Sequence, residues 1–386
     1  MKILFLDQFS ELGGAQQTLL DTAEAVQRNG WLAHALVSGD GPLVEQLRLL
    51  GVPTGQISSG PFRSGSKSAA DSIRFAVDLK RQVRAINNLT SQCDFDLIYV
   101  NGPRLMPAAA LASRGRAQVV FHAHSHVEGI AARLLHWSIR RAAATVIGCS
   151  DSVLAPLRHC ADPNNAYVVP NGVRDAGHCE RGFGSGRGSN GNWRIGIIGR
   201  IAPDKGQLEF AGAAAILARE FPGARFVICG APMFGSSSSY FEAVSQRTRG
   251  LPVEFLGWRR DVGPVLRELD LLVVPSKREG MARVIVEAFS AGVPVIAFPA
   301  GGIPEVVVDG ETGFLTRQFS ADALASRVRD VIEAPEVLER VARNARQAWT
   351  RLYTVPAYQK RIIELLEQLT PALPAACETV ALQPGI

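Results

Sequence analysis

Long apolar runs are missing from this chain of 386 residues. Its longest are of strand length, and none approaches the ~20 apolar residues that span a bilayer as a helix. Cysteine is sparse and scattered, at positions 93, 149, 160, 179, 229 and 377, with no CxxC pair. That spacing excludes a disulfide framework and points to reduced thiols in a cytoplasm. His159-Cys160 and His178-Cys179 are neighbours in pairs, but neither pair makes a ligand set, so no metal is expected. A secretory signal is also absent: MKILFLD has one lysine and only a few apolar residues before Asp7, and reads as a first strand. Gly196 and Gly199 lack the spacing of a GxGxxG fingerprint, which argues against a dinucleotide cofactor.

The charge excess is small, +5, and unevenly spread. Arg63, Lys67, Arg74, Lys80, Arg81 and Arg84 stand against Asp71 and Asp78 in one stretch. Such a patch suits an anionic surface or acceptor. It carries no series of aromatics on which bases could stack, so nucleic acid is not an expected partner. Within it, SIRFAVDLKRQVRAI places Ile73, Ala76, Val77, Lys80 and Val83 at helical spacing, an apolar stripe flanked by cations.

What the chain does have is size and alternation. Its length predicts two domains, and 47% hydrophobic residues give each a core. Strand-like runs at Lys2–Leu6, Ala33–Val37, Leu97–Val100, Gln118–Phe121, Thr145–Gly148 and Tyr167–Val169 alternate with helical patterns such as Ala15–Arg28, Ser72–Leu89 and Ala131–Arg141. The glycine-rich segment 181–192 reads as a linker. The pattern then restarts, with strands at Trp193–Ile198, Arg225–Cys229, Val253–Leu256, Leu271–Val274 and Val293–Phe298, and helices at Gln207–Glu220 and Tyr240–Arg249. Two doubly wound α/β domains are the expectation. They are residues 1–180 and 193–354, followed by an amphipathic helix 355–369 and a mobile tail 371–386.

The most informative stretch is REGMARVIVEAFSAGVPVIAFPAGGIPEVVVDGETGFL, residues 278–315. Glu279 lies in a turn after the apolar run Leu271–Val274, and Glu287 lies on a helix expected to start near Ala282. Backbone N–H groups at Gly280, Met281, Ala282 and Arg283 then form the positive end of that helix, a place for a phosphate. Alone, Glu287 reads as a solvated helix residue and Glu279 as a first-turn carboxylate favoured by the dipole. Two carboxylates flanking an anion site between buried strands fit a ligand with hydroxyls at both ends and a diphosphate in the middle. A second anion site is expected where Gly199-Arg200 and Lys205-Gly206 follow a strand. Gly13-Gly14, after the first strand, is either a helix entry or a close backbone approach to a ligand. His122, His124 and His126 end another strand, and alternation puts the first two on one face.

These motifs resemble the family 4 (group 1) retaining glycosyltransferases of GT-B fold. The resemblance rests on the Glu-x7-Glu pair and on the following Ala291-Gly292-Val293-Pro294-Val295. The tail GGIPEVVVDGETGFL, the GR-x4-KG spacing and the turn Pro170-Asn171-Gly172-Val173 also contribute. It covers nearly the whole chain and is strongest from Gly199 to Leu315. Ala282 and Met281 depart mildly from it. It implies two Rossmann-like domains facing across a cleft, with the last helix crossing back onto the first domain. It also implies a nucleotide-sugar donor bound without cofactor or metal. Arg200 and Lys205 would hold its diphosphate, Glu279 its sugar and Glu287 its ribose, with Gly13 and Gly14 near the phosphate. A histidine beside the sugar is implied, His122 or His124, with His126 third. The acceptor, a glycan or lipid-linked group of the cell envelope, would enter through the first domain, at the inner face of a membrane. The rival readings are a sugar-nucleotide epimerase and a non-catalytic nucleotide-sugar-binding protein.

Overall fold

The structure, a computed structural model, describes residues 1–58, 69–113, 117–178, 192–232 and 238–369. The linker reading at 181–191, the tail 371–386 and the basic residues Arg63 and Lys67 lie outside the described residues.

Thirteen strands are described, all paired in parallel. The first seven are β1 (Lys2–Asp7), β2 (Leu32–Val37), β3 (Thr54–Gln56), β4 (Leu97–Asn101), β5 (Gln118–Ala123), β6 (Thr145–Gly148) and β7 (Ala166–Val168). The second set is β8 (Arg194–Ile198), β9 (Arg225–Cys229), β10 (Val253–Gly257), β11 (Leu271–Val274), β12 (Val295–Ala297) and β13 (Phe314–Leu315). The orders are β3-β2-β1-β4-β5-β6-β7 and β10-β9-β8-β11-β12-β13. Each sheet therefore reverses direction beside its own first strand, the switch point where doubly wound sheets bind ligands at strand carboxyl ends. Strands such as β4 and β11 are buried at every residue. Helices cover both faces, and a continuous apolar run is what such a strand needs.

The last helix, Val355–Leu369, returns to the first sheet. Tyr358, Ile362, Leu365 and Leu366 join Ile3, Phe5, Leu19 and Val26 in one core. Each of the fully buried aliphatics contributes about 1.5–3 kcal/mol by area, before the cost of ordering. Polar bonds fix the register of this return: the hydroxyls of Tyr358 and Thr22 meet at 2.5 Å, and Gln359 Nε2 donates to the Asp21 carbonyl at 3.1 Å. Val173, at the end of the first half, is held by the same return. Its N–H donates to the Tyr353 carbonyl at 2.8 Å, and its own carbonyl accepts from Trp349 Nε1 at 3.1 Å.

The stripe expected on the basic helix is not the buried one. In helix Ala69–Gln92, Asp78, Gln82 and Ile86 face the core, with Leu79 and Val83 partly buried. Ile73, Ala76, Val77 and Lys80 are exposed. The reason is polar: Asp78 Oδ1 accepts from Ser58 Oγ at 3.0 Å and Gln82 Nε2 donates to the Ser58 carbonyl at 2.7 Å, which turns that face inward.

Candidate active site

The two sheets present their strand ends to one cleft of about 1050 Å³. That is room for a ligand larger than a typical drug-sized molecule. Of the candidates, Gly13, Gly14, His124, Arg200, Lys205, Glu279, Gly280, Met281, Ala282, Arg283 and Glu287 all line it. His122 does not. It is fully buried, its Nδ1 bonds the Tyr99 hydroxyl at 2.6 Å, and burial with His124 alongside holds its pKa well below the usual value. His126 turns instead to the Ser152 carbonyl, at 3.0 Å. Of the three, the ring left at the cleft is His124. Alternation puts His122 and His124 on one face, and their ring centroids lie 4.0 Å apart; β5 ends at Ala123, so His124 stands just past the strand, at the cleft.

The candidate anion site lies at the ends of β8 and β11. Pro203–Lys205 form one 3-10 turn, Gly206 follows at φ 75°, and helix Gln207–Glu220 begins. A Cβ on Gly206 would lie 2.0 Å from the Pro275 carbonyl oxygen, so only glycine lets this turn rest on the end of β11. The result places Lys205 against Glu279, where its Nζ donates to Oε1. Arg200 Nη2 donates to both oxygens of Asp204, at 3.0 and 3.2 Å. Both cations are thus held by carboxylates of the chain itself.

Helix Arg283–Ala291 starts at Ala282, whose φ of 25° is unusual for a residue with a side chain. Glu287 sits in its second turn. Burial raises its pKa, Arg283 opposes that rise and Asp261 adds to it. Two neighbouring side chains cross to the other half. Met281 Sδ accepts from the Asn171 N–H at 3.0 Å. Arg283 donates to the Gly172 carbonyl at 2.9 Å and to Thr18 Oγ1 at 3.1 Å, and it lies 4.0 Å from the buried Asp21 carboxylate. Gly14 packs against it: a Cβ there would meet Arg283 Cδ at 3.0 Å. The guanidinium therefore ties the halves together at the mouth of the anion site. Residue type and motif position alone did not reveal that direction.

Sequence reasoning missed an array beneath His124. Asp7 and Asn101 are register partners at the ends of β1 and β4. Asn101 Nδ2 donates to Asp7 Oδ2 at 2.5 Å, and His124 Nε2 lies 2.7 Å from Asn101 Oδ1. The one available signal was position, because both residues close strands at the switch point. Trp258 and Arg259, in the segment 257–262 that resembles the family's loop near the nucleotide base, also reach the cleft, as does Arg174, which sequence reasoning did not single out. Outside it, helix Gly129–Ala142 brings His136 to His159 and Cys160, with ligand atoms within 4.8 Å of one another. This is the third donor that the His159-Cys160 pair lacked in sequence.

Two family profiles match the chain. One is described as Glycosyltransferase Family 4, over residues 12–176, and the other as Glycosyl transferases group 1, over residues 186–348. The chain belongs to the family 4, group 1 glycosyltransferases, and its two Rossmann-like sheets make the GT-B fold. Glycogen synthase of Mycobacterium tuberculosis is 29% identical over 233 residues, 58% of this chain and 55% of that one. A D-inositol 3-phosphate glycosyltransferase of Segniliparus rotundus is 31% identical over 195 residues, 48% and 43% of the two chains. The chain thus spans about half the length of the curated relatives it matches. Among solved structures, Anabaena Alr3699/HepE in complex with UDP-glucose superposes with a TM-score of 0.79 at 27% identity, over 95% of this chain and all of that one. Sucrose-phosphate synthase from Thermosynechococcus elongatus, at 19% identity and a TM-score of 0.77, shares the fold.

Proposed function

We propose that this protein moves a hexose-type sugar from a nucleoside-diphosphate sugar to an acceptor with retention of configuration. The observation that carries the reading is convergence. Arg200, Lys205, the start of helix Arg283–Ala291 and two carboxylates meet in one cleft, facing Gly13, Gly14 and His124. Charge develops on the leaving diphosphate, and fixed cations and N–H groups aimed at it lower the barrier. The reading assigns no role to a bound metal or cofactor. UDP-glucose in the Anabaena relative supports a nucleotide-sugar donor. The test is a donor screen over UDP-, GDP- and ADP-sugars. Slow release of free nucleotide from one of them is expected. No turnover of any donor rejects transfer, and turnover to an isomeric sugar nucleotide makes the protein an epimerase.

The two glutamates should divide the donor between them. Glu287→Ala should weaken a free nucleoside diphosphate and the donor alike, because the ribose belongs to both. Glu279→Ala should weaken the donor more, because its carboxylate sits at the Lys205 end, where the sugar would lie. Calorimetric titration of both ligands into both variants measures this. Equal losses in all four titrations reject the division.

The acceptor is read as a lipid-linked glycan at the inner face of an anionic membrane, reached through the first half. In helix Ala69–Gln92, Ile73, Phe75 and Val77 are 68%, 36% and 44% exposed beside the exposed Arg74, Lys80, Arg81 and Arg84. No helix among the described residues is long and apolar enough to cross a membrane. Attachment would therefore be peripheral, at about 1 kcal/mol per basic group, and would weaken with salt. Flotation should show anionic vesicles recruiting more protein than neutral ones at low salt. If Arg74, Lys80, Arg81 and Arg84 can all become Gln without loss, a soluble acceptor replaces the lipid.

A further inference from the structure

We propose that Asp7, acting through Asn101, fixes which nitrogen of His124, the histidine at the cleft, carries the proton. The inference rests on the sugar-transfer reading above and adds a positioning residue to it. Asn101 is the pivot. Its Nδ2 has two acceptors, Asp7 Oδ2 at 2.5 Å and the Ala15 carbonyl at 3.2 Å. An amide that gives both protons to those oxygens must turn its Oδ1 to His124. A carbonyl oxygen only accepts, so the bond at 2.7 Å is donated by His124 Nε2–H. With one proton on a neutral imidazole, Nδ1 keeps its lone pair, and that buried atom has no partner among the described residues. The ring is neutral: burial first, then Arg283, lower its pKa to about 3. His124 thus serves the site as a hydrogen-bond partner rather than as an acid.

Asp7 is what makes the arrangement firm. Its carboxylate is almost fully buried and also accepts from the Phe9 N–H at 2.8 Å and from Gln16 Nε2 at 3.1 Å. An ionised acceptor holds Asn101 more tightly than a neutral one. Burial raises its pKa to about 7, against bonds from Asn101, Phe9, Gln16 and Gln8 that lower it. The groups that bond Asp7, from the loop after β1, from β4 and from helix Gly14–Arg28, are uncharged; against His124 stand the cation Arg283 and the ring of His122, 4.0 Å away between centroids and held neutral by burial. Uptake of one proton by Asp7 removes the charge that fixes the amide. The ring is then free to lose its Nε2 proton to water and take another at Nδ1.

The array is tested by 15N NMR of the histidine side chains in the whole protein, which reads the tautomer without any turnover. His124→Gln identifies the His124 signals among those of the seven histidines. In the wild type at about pH 8.5, His124 should be protonated at Nε2. Toward about pH 5.5, a growing Nδ1–H population should follow Asp7 through its raised pKa. Asp7→Asn should abolish that pH dependence. It should also remove an acid-side fall of kcat that is expected in the wild type, while leaving KM for the donor nearly unchanged. Asn101→Ala should release the ring at every pH with Asp7 still present. A His124 ring protonated at Nδ1 at high pH overturns the proposal. So does a tautomer that ignores pH in the wild type, or one that Asp7→Asn leaves as pH-dependent as before. A wild type with no transfer activity but the expected tautomers overturns the sugar-transfer reading and leaves the array standing.

Discussion

Lys205→Ala should lower kcat/KM by about a hundredfold to a thousandfold with the true donor and acceptor, a loss of about 3–4 kcal/mol in transition-state stabilisation. Arg200→Ala should lower it less. Both cations would meet a diphosphate whose charge grows as the sugar departs, so both interactions strengthen toward the transition state. The difference lies in what each removal leaves behind. Lys205 is the partner of Glu279, whose side chain is only 11% exposed. Without the ammonium, that carboxylate remains in the cleft and repels the incoming dianion. Arg200 is the partner of Asp204, 26% exposed and better able to turn to water. A second variant separates repulsion from lost attraction: Glu279→Gln added to Lys205→Ala should weaken the donor less than the two single losses together predict. Steady-state kinetics decide it. If both single variants run at the wild-type rate, the clamp is misassigned and another pair of cleft cations, such as Arg259 and Arg174, becomes the candidate.

Most of the fold was legible in the sequence. Buried parallel strands must be apolar throughout, and β1, β4, β5, β6, β8, β9 and β11 announce themselves that way. The strands that were missed are β3 and β13, an edge strand of each sheet. Thr54–Gln56 leaves two of its three residues exposed, and Phe314–Leu315 has only two residues, too few to show alternation. The candidate site was legible where chemistry and spacing coincide, as at Glu279, Glu287, Arg200 and Lys205. It was not legible where the outcome depends on which way a side chain leaves a known backbone position. Arg283 and Met281 lie in the right loop, yet their side chains span to the other half. Asp7 and Asn101 stand 94 positions apart, and only the pairing of β1 with β4 brings them under His124.

Gly280→Ala should cost both stability and activity. The turn holding Glu279 packs backbone to backbone against the first half. A Cβ on Gly280 would lie 2.2 Å from the carbonyl oxygen of His124 and 3.1 Å from Cys149 Sγ. On its far side the same turn is backed by the loop after β12. There, a Cβ on Gly302 would come within 1.8 Å of the Gly280 carbonyl oxygen, and one on Gly301 within 2.0 Å of the Glu279 oxygen. On both sides of the turn the closest atom to an added Cβ is thus a main-chain oxygen, which has little room to give way. An added methyl must move it by about 1 Å, or part the two halves where His124 meets the loop of Glu279 and Gly280. Overpacking of this kind costs about 1–3 kcal/mol. A displacement of about 1 Å at Glu279 and the adjacent N–H groups costs about a hundredfold in rate. The neighbouring change Ala282→Gly is the control. It relieves a φ of 25° without adding an atom, and should hold or raise Tm. Thermal melts and kcat/KM of the two variants are the measurements. If Gly280→Ala melts and turns over like the wild type, the halves do not meet through this turn. The cleft must then close by another contact, with the Glu305 carboxylate that accepts from the Asp151 and Ser152 N–H groups at 2.7 Å as the next place to look.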